Sequence, residues 1–290
     1  MISVIVCSAD AGRLAKFRLN VEATIGTPYE VLAFDNRNEK KGIAAVYNQL
    51  AAKANYEICC FVHEDVIIYT NGWGLLLEKI LKDTAIGLVG ISGAVYKSRY
   101  PGSWSACDQT LYRTHSIQHF KHLEKPLVIN TNPAHTSLTE VAVIDGVFMA
   151  TRKNIFQQFS FDAQLLKGFH GYDIDYSLQV GRQYKLVVSY ELLLEHLSEG
   201  KLSNDWLKDS LQVHKKWRQR LPVQIGSITK ELRKQSDYQS CSCVLGVAIQ
   251  YPGNKKLASK YFYYLLSYFF SNNKFRYAKS VSRYLFKPGN

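Results

Sequence analysis

Three apolar runs of strand length, each stopped abruptly by polar residues, constrain this chain more than any other feature. Ser3-Val4-Ile5-Val6-Cys7 runs into Ser8-Ala9-Asp10. Tyr29-Glu30-Val31-Leu32-Ala33-Phe34 runs into Asp35-Asn36-Arg37-Asn38, and Ile58-Cys59-Cys60-Phe61-Val62 into His63-Glu64-Asp65. Near-continuous apolar runs of this kind suit strands covered on both faces. Between them, Arg13 to Leu19 has helical spacing and the Ala-rich segment from Gly42 to Ala54 reads as a helix. Strand, helix, strand, helix, strand implies right-handed crossovers and a doubly wound α/β sheet. All three polar stops then fall on one edge, where open parallel sheets bind their ligands. His63, Glu64 and Asp65 are metal-competent, and a hard divalent cation with a phosphate suits such a crevice.

Further along, Ile86 to Ile91 reads as another strand, and Tyr100 to Pro133 as an irregular covering segment. Thr139 to Ile144 is a strand leading to Asp145-Gly146, continued by Val147 to Ala150. Gly168 to Asp175 is a Gly-flanked turn opening onto a helix from Tyr176, Tyr184 to Val188 is a short strand, and Leu192 to His196 ends another. Trp104 and Tyr112 in the covering segment suit stacking on sugar faces; the alternative is that they pin the segment to the body. His115, His119, His122 and His135 lack the spacing with cysteines that a zinc site needs.

Charge divides the chain. Residues 1–200 carry 19 Lys and Arg against 20 Asp and Glu, whereas residues 201–290 carry 17 against 4, so the net charge of +12 belongs to the second part. A near-neutral body (1–200) followed by a basic, aromatic-rich helical region (201–290) points to chemistry in the first and an anionic partner for the second, a solvated basic tail being the plainer reading. Tyr261 to Phe270, flanked by Lys255, Lys256, Lys260, Lys274 and Arg276, is too short to span a bilayer but suits an interfacial helix on an anionic membrane surface through 255–290. The competing reading is a helical subdomain with these aromatics turned inward. Cys7, Cys59, Cys60, Cys107, Cys241 and Cys243 show no metal-knuckle spacing and read as reduced thiols. With no charged lead before the first strand, a signal peptide is not expected, and a cytoplasmic protein, peripheral on the inner face of the membrane, is.

The candidate chemistry therefore gathers at Asp35, at His63-Glu64-Asp65, at Asp173 with Asp175, and at His196. Singly, each has an ordinary reading: a strand-end Asp caps a helix, Asp173 and Asp175 favour a helix N-terminus, and His196 is a buried core histidine. Their order, with Tyr47-Asn48 on the Ala-rich helix and the later Asp145-Gly146, resembles the GT-A fold nucleotide-sugar glycosyltransferases of the family 2 type over residues 2 to 200. The resemblance implies a Rossmann-like, mostly parallel sheet flanked by helices, with the basic helical C-terminal region as an extension.

It also implies roles. Asp35 accepts from the nucleobase edge, and Cys7, Ser8 and Ala9 line the same nucleotide pocket. Asp65 is the retained acid of an Asp-x-Asp motif and binds Mn2+ or Mg2+ bridging the donor's diphosphate. His63 stands where the family has its first Asp and, with Glu64 in the variable middle position, joins the nucleotide-binding residues, the alternative for Glu64 being that strand alternation turns it away. Asp145 and Gly146 border the transferred sugar and the acceptor, with Trp104 and Asp175 in the same group. Asp173 aligns with the catalytic base, the Glu that precedes it in the family being replaced by Tyr172, and His196 completes the metal shell. The implied activity is inverting, metal-dependent transfer of a hexosyl or N-acetylhexosaminyl group from a nucleotide sugar, a UDP-sugar favoured, to a glycan or lipid-linked acceptor in bacterial surface polysaccharide or lipooligosaccharide synthesis. A metal-dependent nucleotidyltransferase or phosphohydrolase, an inert domain of the same fold, and a basic nucleic-acid- or membrane-binding protein stand as alternatives; nucleic acid is the less expected partner, because the body lacks a basic stripe.

Overall fold

The computed structural model describes the backbone of residues 1–271 and the side chains of residues 1–266. β1 (Ile2–Ser8) leads into α1 (Ala11–Thr24), whose first turn is capped by Asp10, accepting from the amides of Gly12 and Arg13. β2 (Tyr29–Asp35) lies parallel to β1 with Asp35 opposite Ser8. After α2 (Ile43–Ala51), β3 (Ile58–Val62) pairs in parallel with the other side of β1. Every residue of β3 is buried, as a strand sandwiched between helical layers demands. Alternation along these strands divides the core. Ile5, Cys59 and Phe61 face Val46 and Tyr47 of α2, whereas Val4, Val6, Cys60 and Val62 face Phe17 and Val21 of α1.

The chain then passes through β4 (Val66–Ile68), α3 (Trp73–Leu81), β5 (Ile86–Gly90), β6 (Ser92–Ala94) and β7 (Tyr96–Lys97). β8 (Tyr112–Gln118) and β9 (Leu127–Thr131) follow, paired antiparallel from Thr114 opposite Thr131 to Gln118 opposite Leu127. This hairpin corrects the expectation of an irregular segment from Tyr100 to Pro133. Its inward positions are Thr114 and Ser116, whose hydroxyls continue from Ser92 (2.5 Å to Thr114, then 3.4 Å to Ser116), so it carries no apolar alternation to read.

A second correction concerns Thr139 to Ile144. β10 (Leu138–Val141) and β11 (Val143–Ile144) are separate strands in different sheets, and the chain crosses between them at Ala142, whose amide bonds to Ala94. β12 (Phe148–Arg152) and α4 (Lys153–Gln158) come next. α5 (Tyr172–Val180) begins four residues earlier than expected, after Gly171 in the left-handed region (φ 75°) that glycine adopts without strain. β13 (Lys185–Ser189), β14 (Leu194–His196) and α6 (Asn204–Trp217) precede β15 (Val223–Gln224), α7 (Lys230–Ala248) and α8 (Lys255–Ser271).

The main sheet has the order β10-β13-β5-β12-β3-β1-β2, with β12 and β10 reversed against five strands that share a direction. A second sheet, β11-β6-β8-β14-β4 with β9 on β8, stands at the edge where β1, β2 and β3 end. Helices α6, α7 and α8 share a cluster that includes Trp206, Cys241, Val244, Tyr261, Phe262 and Leu265. Tyr261 and Phe262 are thus turned inward, while Tyr263 is 59% exposed. Lys274 and Arg276 lie outside the described residues. No helix among the described residues is long and apolar enough to cross a membrane.

Asp175 ties the C-terminal helices to the body. Only 1% exposed, it accepts from Trp217 Nε1 (2.7 Å) and Gln179 Nε2 (2.8 Å), and pairs with Lys216 Nζ at 2.8 Å. Removing one partner of a buried ion pair strands the other charge. Asp175→Ala is therefore expected to lower unfolding stability by about 3 kcal/mol, read from urea denaturation, against less than about 1 kcal/mol for the exposed Asp205→Ala.

Candidate metal and acid-base site

The carboxyl end of β3 delivers His63, Glu64 and Asp65 to the edge, and the antiparallel pairing of β14 with β4 sets His196 opposite Val66. His196 Nε2 lies 3.6 Å and His63 Nδ1 3.9 Å from the same Oδ1 of Asp65, with ring centroids 5.8 Å apart. One ligand atom from each of the three residues lies within 4.8 Å of the others, a grouping that among the described residues occurs only here.

The surrounding hydrogen bonds fit a cation. Gln118 donates its amide hydrogens to the carbonyls of His119 (2.8 Å) and Ser198 (2.7 Å), so its Oε1 is left to accept from His196 Nδ1 at 3.1 Å. A neutral imidazole protonated at Nδ1 has its lone pair on Nε2, and that buried atom has no hydrogen-bond partner. Burial would raise the Asp65 carboxyl, but His196, the Ser198 hydroxyl and His63 outweigh it and hold it well below the usual carboxylate range. Burial, then the neighbouring His196, lowers His63 and so favours its uncharged form. Two imidazoles around a carboxylate, one with a buried ring nitrogen that no hydrogen bond satisfies, form a set of groups suited to hold a divalent cation.

Glu64 turns onto the strand-to-helix turn instead of the cluster. It accepts from Ser8 Oγ at 2.5 Å, from the Ala9 amide at 3.0 Å and from the Asp10 amide at 3.3 Å, bracing the Ser8-Ala9 turn. Cys7 is half-buried with Asn36 Nδ2 at 3.4 Å from its sulfur, and burial pushes its thiol up to about 11. Asp35 is exposed and paired with Arg37 (2.5 Å), whose hydrogen bonds lower its carboxyl to about 2.

Across from the metal-competent residues, Asp145 and Asp173 flank Gly146. The Gly146 amide bonds to Asp173 Oδ2 at 3.3 Å, and Asp145 Oδ1 accepts from the Val147 amide at 3.2 Å. Asp173 sits in the first turn of α5, yet burial, followed by the negative charge of Asp145, pushes it up to about 7. A half-buried carboxylate that titrates near neutrality has the acid-base character expected of a proton acceptor. Tyr172 links the two halves: its Oη is 2.8 Å from His63 Nε2 and 3.2 Å from the Gly146 carbonyl oxygen.

One expected residue, Asp175, is placed elsewhere. Asp175 points into the α5–α6 interface with its oxygens bonded to Gln179, Lys216 and Trp217, which corrects its grouping with the sugar-facing residues. Asp173 and Asp175 stand two residues apart on α5 and so project about 200° apart round its axis. Trp104 is half-buried, packed edge-on against Tyr112 with centroids 5.1 Å apart. His119 is bonded to Glu195 at 2.6 Å, outside the metal-competent group. Gln118 and Ser198 went unanticipated; neither residue type nor spacing marks them in the sequence, and only the adjacency of β8 and β14 gives them their role.

Comparison with known proteins fits this geometry. A family model described as a glycosyltransferase-like family matches residues 3–219. No curated protein matches the chain. Among solved structures, GalNAc-T7 with UDP, GalNAc and Mn2+ is similar with a TM-score of 0.52 and 15% identity, over 82% of this chain and 54% of that one. The mannosyltransferase PcManGT from Pyrobaculum calidifontis, in complex with GDP-Man and Mn2+, is similar with a TM-score of 0.51 and 12% identity, over 98% of this chain and 84% of that one. The chain thus spans about half the length of the first. The likeness is one of fold, the GT-A arrangement.

The raised Asp173 has a consequence for stability. An unfolded Asp titrates near 3.9 whereas the folded carboxyl titrates at about 7, so the folded protein binds the extra proton between those values. Its contribution is present below about pH 4 and is lost as pH rises through about 7. Asp173→Asn is expected to gain stability over the parent between about pH 5 and pH 8, on the order of 2 kcal/mol, measured by urea denaturation at both values.

Proposed function

The chain belongs to the glycosyltransferase-like family, and from that premise we propose that it transfers a sugar from a nucleotide-sugar donor, a UDP-sugar favoured, to a hydroxyl of a glycan or lipid-linked acceptor with inversion at the anomeric carbon. The observation that carries this reading is the His63, Asp65 and His196 cluster with its unpartnered Nε2, set beside a carboxyl at Asp173 that titrates near neutrality. The solved structures of similar fold contain UDP or GDP-Man together with Mn2+, which supports a nucleotide-sugar donor and a divalent ion.

In this reading His63, Asp65 and His196 hold Mn2+ or Mg2+. A divalent cation there would neutralise charge on the departing nucleoside diphosphate. The Ser8-Ala9 turn braced by Glu64, together with Cys7, receives the nucleotide, and Asp35 exchanges Arg37 for the nucleobase edge. Asp173 accepts the proton of the acceptor hydroxyl as that oxygen bonds to the anomeric carbon. The bond from that carbon to the phosphate oxygen breaks, and its electron pair leaves with the diphosphate. Asp145 and Gly146 border the sugar and acceptor, and Trp104 lies towards the acceptor side.

We assign residues 1–200 to the catalytic domain and 201–290 to the basic extension, with bacterial surface polysaccharide or lipooligosaccharide synthesis at the inner face of the membrane as the setting. A cavity of about 480 Å3 beside α7 and α8 is lined by Arg99, Lys230, Arg233 and Lys234 against one acid, Asp237, paired with Arg99 at 3.3 Å, and this surplus of cations supports an anionic partner for that extension.

Two experiments test the reading. In a thermal-shift panel, one nucleoside diphosphate is expected to raise the melting temperature only when Mn2+ is present, and the rise is expected to vanish in Asp65→Ala; stabilisation by every nucleotide regardless of metal would count against it. In the pH-rate profile, kcat/KM is expected to rise with pH and level off above about 7, because only ionised Asp173 accepts a proton. Asp145→Asn removes the like charge and is expected to move that rise towards acid, while Asp173→Asn loses roughly 100-fold or more in kcat.

A further inference from the structure

Tyr172 and His63 are 109 residues apart in sequence and meet in one hydrogen bond, with Oη 2.8 Å from Nε2. The direction of that bond follows from the second contact of the hydroxyl. Tyr172 Oη also lies 3.2 Å from the Gly146 carbonyl oxygen, which can only accept, so the phenolic proton goes to Gly146. The lone pair of the hydroxyl is left to accept from His63, which must donate through Nε2. An imidazole that ligates a cation keeps only one N–H, so with Nε2 donating to Tyr172 the ligating lone pair of His63 is on Nδ1, the atom that faces Asp65 Oδ1 at 3.9 Å. His196 is fixed in the complementary tautomer by Gln118, and the two lone pairs converge on the same carboxylate oxygen.

The hydroxyl is held where this requires it. Tyr172 is 4% exposed, with its ring edge-on to Tyr47 (centroids 5.8 Å apart, 81°) and to Phe161 (5.9 Å, 68°). A Cβ at Gly146 would lie 2.3 Å from Oη, so a glycine there is what admits the hydroxyl. A tyrosine that merely satisfied a buried carbonyl would need Gly146 alone. Two departures from the family pattern, a histidine at 63 and a tyrosine at 172 in place of acids, are thus in contact.

We propose that Tyr172 is a positioning residue that makes His63 a metal ligand through Nδ1, and that the resulting pair of imidazoles with one carboxylate selects Mn2+ over Mg2+. The inference rests on the reading of this cluster as a metal site. Imidazole nitrogen suits transition-metal ions, whereas Mg2+ favours oxygen ligands, so the histidine at 63 biases the choice. A partner that orients a ligating histidine typically changes metal affinity 10- to 100-fold.

The test uses the full chain, stripped of metal, without nucleotide or acceptor. Mn2+ binding is followed by calorimetry, and Mg2+ by competition, in the parent and in Tyr172→Phe, His63→Asp and His196→Ala. Tyr172→Phe keeps the ring and is expected to weaken Mn2+ about tenfold while changing Mg2+ less; His63→Asp is expected to narrow the Mn2+ to Mg2+ preference by at least that factor. Unchanged Mn2+ affinity and unchanged preference in a folded Tyr172→Phe, with binding still lost in His196→Ala, would overturn the proposal and leave the metal site standing. No Mn2+ binding in the parent that His196→Ala abolishes would instead remove the metal site itself. Nitrogen NMR of the metal-free parent reads the tautomer directly and does not depend on any variant folding: a protonated Nε2 on His63 is expected, and a protonated Nδ1 would overturn the proposal.

Discussion

Burial of β3 between β1 and β12 is the constraint from which the site follows. All five residues of β3 are buried, so polar side chains are admitted only where the strand leaves the sheet, and His63 to Asp65 are the first residues released. β12 runs antiparallel with Phe148 opposite Val62, so it begins where β3 ends, and the His63 amide bonds to the Val147 carbonyl oxygen at 3.1 Å. The Asp145-Gly146 turn therefore arrives at the same edge as the metal-competent residues. One strand position thus fixes both the His63 to Asp65 cluster and the Asp145-Gly146 turn beside it.

The cleft holds arrangements that a folding core avoids. A buried imidazole nitrogen without a hydrogen-bond partner costs about 1–3 kcal/mol, and the carboxyl of Asp173 is kept from ionising freely by burial and by Asp145. Apolar clusters on both faces of the main sheet offset these costs, and Asp175, bonded to Lys216 and Trp217, adds α6 to the frame. Tyr172 connects the two halves with one hydroxyl, so the orientation of His63 and the backbone beside Asp173 depend on the same group.

The first three strands were legible because each is a continuous apolar run stopped by polar residues, and burial on both faces requires that pattern. The hairpin of β8 and β9 was not, because its inner face is a row of hydroxyls that satisfy one another across Ser92, Thr114 and Ser116. Periodicity of apolar residues cannot report a strand whose buried face is polar. The run from Thr139 to Ile144 read as one strand for the opposite reason: its pattern is the same on both sides of Ala142, and only the pairing partners, β13 and β6, divide it. Asp173 and Asp175 were alike in the sequence, and the helical turn sent one to the cleft and the other into an interface.

By itself the sequence determined the layered α/β architecture, the edge where the polar stops gather and the chemical types available there, since strand period, helix spacing and side-chain chemistry are local properties. It also determined that the net positive charge would sit in the last third of the chain. Tertiary structure alone decided which of those residues meet. His196 reaches Asp65 through the pairing of β14 with β4, Gln118 orients His196 because β8 lies beside β14, and Tyr172 reaches His63 because α5 begins against Gly146. The physical reason is that lone-pair direction and proton position depend on hydrogen bonds between segments far apart in the chain, and no local pattern encodes them.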